Sequence, residues 1–171
     1  ILKYLIIKKI IKIDRKEILK ITKYIGSDVI LGLDSTNSIL TSKNKIKRFR
    51  KCKRLYTLLV KPSFGCSTKR IYSYVKKFDQ PKFNKPNKKM FDRVFLKKMS
   101  NSLEQIVLNK YSTLKRIKSY LNNLENPIFV RMTGSGSALV SYYNSKKLCD
   151  RAKKQFNRDH KNYWCISSKT I

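Results

Sequence analysis

The stretch IFVRMTGSGSALVSYY at residues 128–143 decides the fold of this chain. Apolar residues on both sides of a glycine-containing segment predict two strands, at 128–132 and 138–143, joined by a turn at 133–137. Two strands joined by so short a turn pair in antiparallel fashion. The other predicted elements are therefore arranged around an antiparallel hairpin.

The segments on either side of this hairpin predict a layer of helices on a single sheet. A helix at 145–156 and a strand at 162–168 follow it, and an apolar run at 55–60 predicts a buried strand before it. The helix that directly precedes the hairpin has apolar residues at helical spacing, namely Leu114, Ile117, Leu121 and Leu124. This order predicts an α+β fold in which helices cover one face of a largely antiparallel sheet.

A turn and a capped helix are predicted directly after the strand at 55–60. Pro62 and Gly65 mark the turn, and Ser67 or Thr68 is suited to cap the helix that follows. That helix is expected to place Ile71, Tyr74, Val75 and Phe78 near its inner face.

A long surface connection is expected at 79–99, because this segment contains prolines and many lysines. Asn101 and Glu104 then have the spacing of a helix-capping pair. We therefore expect the helices before the hairpin to begin near residue 101.

Two helices open the chain. Apolar residues at helical spacing in 1–11 predict the first helix, which begins mid-pattern at Ile1, so we expect a fragment that lacks its upstream half. The second helix begins at Asp14, with Glu17 completing a capping box, and ends at Gly26. Two short strands are predicted next, at 29–33 and 38–41.

The chain is strongly basic, with 41 Lys and Arg against 10 Asp and Glu and a formal net charge of +31. Such a charge is typical of nucleic-acid-binding proteins, because each neutralised phosphate releases counterions. However, Lys, Asn and Ile are all abundant and all have A- and T-rich codons, and the charges are spread along the chain. We therefore favour genome composition over a nucleic-acid partner as the cause.

The cysteines do not predict a metal site. No two of the four, Cys52, Cys66, Cys149 and Cys165, have C-x-x-C spacing, and His160 is the one histidine. No apolar run in the sequence approaches the ~20 residues that a membrane-spanning helix needs. We expect reduced thiols, no membrane partner and a cytoplasmic location.

Asp28 is the first candidate for chemistry. It lies in the segment Gly26-Ser27-Asp28-Val29, where the second helix gives way to apolar sequence. A carboxylate in this position could take a proton from a substrate hydroxyl. It could also be a turn residue that bonds its own backbone, and the spacing alone favours the turn.

The turn at 61–68 and Tyr72 are the second candidate. A tight turn that opens a helix leaves backbone N–H groups able to hold an anion, and Tyr72, one helical turn later, could stack on a flat ring. The alternative is an ordinary strand-to-helix turn followed by a core tyrosine.

The third candidate is the hairpin turn itself, with Gly134, Ser135 and Gly136 at its centre. Two glycines let a ligand approach the backbone closely, and the hydroxyls can donate to phosphate. A hairpin turn without any ligand explains the pattern nearly as well.

In this order, the candidate segments resemble one family of the GHMP kinase superfamily, the 4-diphosphocytidyl-2-C-methyl-D-erythritol kinases. The family has G-[AS]-D-V, then P-x-x-x-x-S-T with an aromatic residue four positions past the Thr, then N-x-L-E and M-[ST]-G-S-G. The matching segments here are 26–29, 62–68 with Tyr72, 101–104 and 132–136. The resemblance extends over essentially the whole chain.

The resemblance implies a two-domain GHMP kinase fold in truncated form. Residues 1–54 would be the end of a ribosomal-protein-S5-like N-terminal domain. Residues 55–171 would be a ferredoxin-like α/β C-terminal domain.

The resemblance also implies ligands and residue roles. Asp28 would be the catalytic aspartate, which deprotonates or orients the methylerythritol hydroxyl that attacks the γ-phosphate of ATP. Tyr72 would stack on the cytosine ring with Thr68 beside it, and the turn at 134–136 would shape the cleft near the phosphates. The expected ligands are ATP with Mg²⁺ and 4-diphosphocytidyl-2-C-methyl-D-erythritol, without a metal ligand among these residues.

Two alternatives stay open. One is another kinase of the superfamily, such as one acting on homoserine or mevalonate, although Tyr72 favours a cytidine substrate because a small aliphatic substrate has no ring to stack. The other is a basic RNA-binding module, whose affinity for RNA would fall steeply with salt.

The resemblance generates one prediction about activity. In the family, the glycine-rich ATP loop, a lysine that partners the catalytic aspartate and a second aromatic all lie upstream of the matching segments. No such loop is present in these 171 residues. We therefore predict that the isolated chain transfers no phosphate, and detection of ATP-dependent phosphorylation by the purified chain would refute this.

Overall fold

The structure is a computed structural model that describes residues 2–26, 28–43, 45–77 and 80–171. Predictions that involve Ile1, Ser27, Phe78 or Asp79 fall outside these residues. The chain divides into two compact units, the first made of Ile1–Cys52, Pro81–Lys88 and Ile171 and the second of Lys53–Gln80 and Lys89–Thr170. The domain division expected after residue 54 stays a prediction.

The two predicted helices of the first unit are present as α1, Leu2–Ile7, and α2, Arg15–Ile25. The capping box at the start of α2 is confirmed, since Asp14 Oδ1 accepts the Glu17 N–H at 2.8 Å and Glu17 Oε2 accepts the Asp14 N–H at 2.9 Å. Gly26 ends the helix and donates its N–H to the Thr22 carbonyl at 3.1 Å. The sequence signals at both ends of α2 were therefore sufficient to predict where the helix begins and ends.

The strand predicted at 29–33 is wrong, because Val29–Leu33 forms a 3₁₀ helix. The Asp28 carbonyl accepts the Leu31 N–H at 3.0 Å, so this backbone is bonded locally. A short apolar run without alternation does not distinguish a buried strand from a helical turn.

A small antiparallel sheet follows in the same unit. The strand predicted at 38–41 is present as β1, Asn37–Leu40, and it pairs with β2, Ile46–Phe49, which the sequence did not predict. The later segment Pro81–Lys88 belongs to this unit, and within it Asn84 Oδ1 accepts a hydrogen bond from Ser42 Oγ at 2.6 Å.

The second unit contains the predicted four-stranded sheet. Its strands are β3, Tyr56–Lys61, β4, Phe129–Met132, β5, Leu139–Tyr143, and β6, Trp164–Lys169. The spatial order is β4-β5-β3-β6, and all neighbours are antiparallel. The hairpin and the central strand are thus confirmed.

The helices of this unit are α3, Thr68–Tyr72, α4, Arg93–Lys98, α5, Glu104–Lys110, α6, Ser112–Asn122, and α7, Lys146–Asp159. Helical chain separates β3 from β4, and α7 separates β5 from β6, which gives the β-α-β-β-α-β order of the ferredoxin-like fold. Of the helices in the described part of the chain, none has the length and apolar character needed to span a bilayer.

The connection predicted at 79–99 is wrong in part. It contains a 3₁₀ helix, Lys88–Phe91, and α4, in which the Asp92 carbonyl accepts the Leu96 N–H at 2.9 Å. The surrounding lysines and prolines concealed this short helical segment in the sequence. Helix α3 is also shorter than its apolar pattern suggested, since it ends at Tyr72.

The core of the second unit lies between the sheet and helices α6 and α7. Alternate residues of β3, Leu58 and Val60, are fully buried, as strand periodicity requires. The helices contribute a fully or almost fully buried set, namely Leu114, Ile117, Leu121, Cys149, Ala152 and Phe156. Packing of these apolar faces against the central strand stabilises the unit.

Leu58→Ala is expected to lower the free energy of unfolding by about 2–5 kcal/mol, because it opens a cavity beside the central strand. The matched control is Val94→Ala on α4, where the side chain is 69% exposed, and the expected loss there is below about 0.5 kcal/mol. Urea unfolding measures both values. Equal losses in the two variants would contradict this account of the core.

Candidate active site

The turn between β4 and β5 has a fixed backbone conformation. Thr133 donates its N–H to the Ala138 carbonyl at 2.9 Å, and Gly136 donates to the Thr133 carbonyl at 3.1 Å. Gly134 and Gly136 have φ angles of +55° and +89°, which L residues with side chains rarely adopt. The two glycines of the motif are therefore explained by the turn itself.

Gly136 also has no room for a side chain. A Cβ at this position would lie 3.0 Å from Met132 Sδ and 3.2 Å from Cys66 Sγ, whereas a Cβ at Gly134 would meet no atom within 4 Å. Burial raises the pKa of the Cys66 thiol. The turn thus packs closely on the segment that follows β3.

Two of the predicted site segments meet at this point. The hydroxyls of Thr68, at the start of α3, and Ser135, in the turn, are 2.8 Å apart. A second link is made by Ser137, whose hydroxyl donates to the Phe64 carbonyl at 2.6 Å. The structure therefore brings together the second and third candidate segments, which are 67 residues apart in sequence at the Thr68–Ser135 contact.

Tyr72 lies one helical turn after Thr68 and is 51% exposed. Its neighbour Ile71 is fully buried and occupies the core position of α3. The alternative of a core tyrosine is therefore wrong, and the Tyr72 ring is accessible for stacking on a ligand.

The surface around α3 is positively charged. Arg70 Nε donates to the Tyr74 hydroxyl at 3.1 Å, and this hydrogen bond lowers the pKa of Tyr74. The Lys110 ammonium lies 4.2 Å from the centre of the same ring. Together with Lys69, which is exposed on α3, these cations favour an anionic ligand near Tyr72.

Asp28 lies in the first unit and precedes the 3₁₀ helix Val29–Leu33. It is exposed, and its side chain does not cap that helix. Its backbone carbonyl accepts the Leu31 N–H at 3.0 Å, so the backbone forms a turn at this position. The catalytic role of the Asp28 carboxylate stays a prediction.

Asn101 is a residue of this region whose contacts the sequence did not reveal. Its Nδ2 donates to the carbonyls of Met132, at 3.0 Å, and Gly134, at 2.8 Å. Its Oδ1 accepts the Leu103 N–H at 3.0 Å within the turn that precedes α5. The predicted role of Asn101 as a helix cap is wrong, because the N-cap residue of α5 is Leu103 and no side chain caps that helix.

Glu104 does not complete the predicted capping pair. Its Oε1 accepts the Met132 N–H at 2.6 Å, and its Oε2 accepts Lys118 Nζ at 2.7 Å. The N-x-L-E segment was a sequence signal for this position, but its spacing indicated a helix cap rather than these long-range bonds.

The described residues contain no group of three or more His, Cys, Asp or Glu side chains that could hold a metal ion. No side-chain cluster in that part of the chain is therefore assigned to a protein-bound metal.

Comparison with known proteins identifies the fold. The chain is 52% identical, over all 171 residues, to the 4-diphosphocytidyl-2-C-methyl-D-erythritol kinase of Pelagibacter ubique (strain HTCC1062) and spans 61% of that protein's length. A crystal structure of 4-(cytidine 5'-diphospho)-2C-methyl-D-erythritol kinase matches 85% of this chain and 54% of its own, with a TM-score of 0.68 and 20% identity. The chain has the GHMP kinase fold.

The fold alone does not distinguish between kinases of this superfamily that act on different substrates. Homoserine kinase from Cytophaga hutchinsonii also matches 85% of this chain and 54% of its own, with a TM-score of 0.53 and 10% identity. No protein-family profile matches the sequence. The resemblance found in the sequence motifs is nevertheless confirmed by the similarity over the whole chain.

Gly136→Ala is expected to lower the free energy of unfolding by more than about 2 kcal/mol, because the left-handed backbone costs about 1–2 kcal/mol and the new Cβ meets two sulfur atoms. Gly134→Ala is the control with a similar backbone but open space, and we expect about 1 kcal/mol. Urea unfolding compares them. A loss at Gly134 as large as that at Gly136 would show that the tight space is not decisive.

Proposed function

We propose that this chain is part of an enzyme that phosphorylates the 2-hydroxyl of 4-diphosphocytidyl-2-C-methyl-D-erythritol with ATP, a step of the non-mevalonate isoprenoid pathway. The observation that carries the proposal is the 52% identity, over every residue of the chain, to a kinase with that substrate in its name. The fold agrees with this assignment.

The proposal concerns a protein longer than the chain described here. The chain spans 61% of the Pelagibacter ubique relative, and a glycine-rich ATP loop is not among its residues. In this proposal the remaining part of the enzyme supplies most of the ATP site. The present chain supplies Asp28, the start of α3 and the 133–137 turn.

The proposed reaction needs one base on the acceptor side. Asp28 would take the proton of the substrate hydroxyl while that oxygen forms a bond to the γ-phosphorus and the bond from phosphorus to the ADP oxygen breaks. Positioning and charge stabilisation account for most of the catalysis in such transfers, so one carboxylate suffices for the proton. Mg²⁺ would neutralise charge on the ATP phosphates, but we assign no step to a metal held by the described side chains.

The region around α3 supports a cytidine diphosphate substrate. The exposed Tyr72 ring offers a stacking surface for the base, and the basic side chains Lys69 and Arg70 on the same short helix offer charge for a diphosphate. A small aliphatic substrate would use neither feature. Tyr72 therefore favours this substrate over those of other GHMP kinases.

The first test joins the chain to the part of the Pelagibacter ubique kinase that it does not match and measures ATP-dependent phosphorylation of 4-diphosphocytidyl-2-C-methyl-D-erythritol. We expect activity in the joined protein and a fall in kcat of about 10²–10⁴-fold in Asp28→Asn, because the amide cannot accept the proton. Asp92→Asn, at an exposed aspartate whose side chain does not cap α4, is the matched control and should retain activity.

Three outcomes bear on the proposal directly. A folded joined protein without activity on this substrate would reject the cytidine substrate. Full activity in Asp28→Asn would reject the role of that carboxylate. Binding of RNA that weakens steeply with salt, in place of kinase activity, would favour the alternative of a basic RNA-binding module.

The second test examines Tyr72 in the same joined protein. Tyr72→Ala should raise KM for the cytidine substrate by about tenfold or more, because a stacked base contributes about 1–3 kcal/mol. Tyr72→Phe keeps the ring and should stay close to the parent, and KM for ATP should change little in either variant. Steady-state kinetics give these values, and an unchanged KM for the cytidine substrate in Tyr72→Ala would exclude stacking at this residue.

A further inference from the structure

We propose that Asn101 and Glu104 are positioning residues that fix the conformation of the 133–137 turn, and that they act on phosphoryl transfer through it. The role in transfer rests on the proposed function. The conformational role rests on the contacts of the second unit alone.

The turn follows an edge strand. In the order β4-β5-β3-β6, strand β4 has a neighbour on one side. Thr133 donates to Ala138 across the hairpin, so the preceding residue, Met132, directs its own N–H and C=O away from β5. Such groups need partners other than the sheet.

Asn101 and Glu104 supply those partners. Glu104 accepts the Met132 N–H at 2.6 Å, and Asn101 donates to the Met132 carbonyl at 3.0 Å. Both outward groups of Met132 are therefore bonded to side chains, one from the first residue of α5 and one from the turn before it. This clamp, as we call the Asn101 and Glu104 side chains together, closes the edge where the strand ends.

The clamp reaches beyond the strand into the turn. Asn101 also donates to the Gly134 carbonyl at 2.8 Å, so one amide group holds the backbone on both sides of Thr133. A Cβ at Gly134 would meet no atom within 4 Å, so the structure leaves space beside this residue where a side chain would lie. Ser135 follows directly and contacts Thr68, so the orientation of this peptide decides where the turn meets α3.

An ion pair with a lysine of α6 holds the clamp in place and offsets its negative charge. Lys118 on α6 lies 2.7 Å from Glu104 Oε2, and the two side chains are only 21% and 14% exposed. Helix α6 is held in the core by Leu114 and Ile117. The lysine offsets the charge of the carboxylate, so Glu104 can bind the turn without repelling an anionic ligand.

Asn101→Asp is the decisive variant. It removes both N–H donors and places a carboxylate against the carbonyls of Met132 and Gly134, while it keeps an acceptor for the Leu103 N–H. Asn122→Asp, at the exposed end of α6, makes the same change in charge away from the turn and is the matched control.

The first readout does not depend on activity. The chain has five glycines, so a sample labelled with ¹⁵N-glycine gives at most five backbone amide signals. In Asn101→Asp we expect the signals of Gly134 and Gly136 to move to new positions, while those of Gly26 and Gly32 stay in place. Asn122→Asp should leave all of them unchanged. Unchanged signals of Gly134 and Gly136 in Asn101→Asp would overturn the clamp.

The second readout is kinetic and uses the joined protein described above. We expect kcat/KM for ATP to fall by about 30-fold or more in Asn101→Asp, because small misplacements near a reacting centre cost up to about 10²-fold in rate. KM for ATP should rise while KM for the cytidine substrate stays within about twofold of the parent. A general loss of folding would instead lower the apparent kcat and leave both KM values unchanged.

The two readouts distinguish failure of this inference from failure of the proposed function. A moved turn with parental kinetics would overturn the catalytic part of this inference while leaving the proposed function intact. Equal kinetic losses for both substrates, with a lower melting temperature, would reduce Asn101 to a purely structural residue. If the joined protein has no activity, the proposed function fails, and the glycine signals still decide whether the clamp sets the turn.

Discussion

The antiparallel pairing of β3 with β5 is the constraint on which the rest of the second unit depends. In its register Val60 pairs with Leu139, so the last residues of β3 lie beside the first residues of β5, at one end of the two strands. The turn that leaves β3 and the turn that enters β5 are therefore neighbours. The contact between Thr68 and Ser135 is a consequence of this register. The buried side chains of β3 maintain that register, because a slip by one residue would turn them away from the core.

The sequence was most informative where local signals and burial agree. The hairpin at 128–143 was predictable because the turn required glycines and both strands had apolar residues, and the capping box of α2 because its two side chains bond within one turn. The 3₁₀ helix Val29–Leu33 and strand β2 were not predictable in the same way. A five-residue apolar run is compatible with either conformation, and β2 is defined by its pairing with β1 rather than by its composition.

In the candidate site too, the sequence identified local motifs but not the contacts that depend on the folded chain. Its residue types were recognisable from the ordered motifs, but the spacing left Tyr72 undecided between core and surface. Exposure of that ring, with Ile71 buried in its place, resolves the question. The bonds of Asn101 and Glu104 to the turn join residues about 30 positions apart, and no local pattern distinguishes them from helix caps. Long-range polar contacts of this kind depend on the folded topology.

The path of the chain between the two units has a consequence for the evolution of such proteins. The polypeptide leaves the first unit after Cys52 and returns to it for Pro81–Lys88. Neither unit is thus a continuous stretch of the gene. A single recombination crossover after Cys52 would carry Pro81–Lys88 away with the second unit, so the first unit would lose the segment that bonds Ser42 through Asn84. The first unit therefore depends on a segment encoded within the stretch of gene that encodes the second.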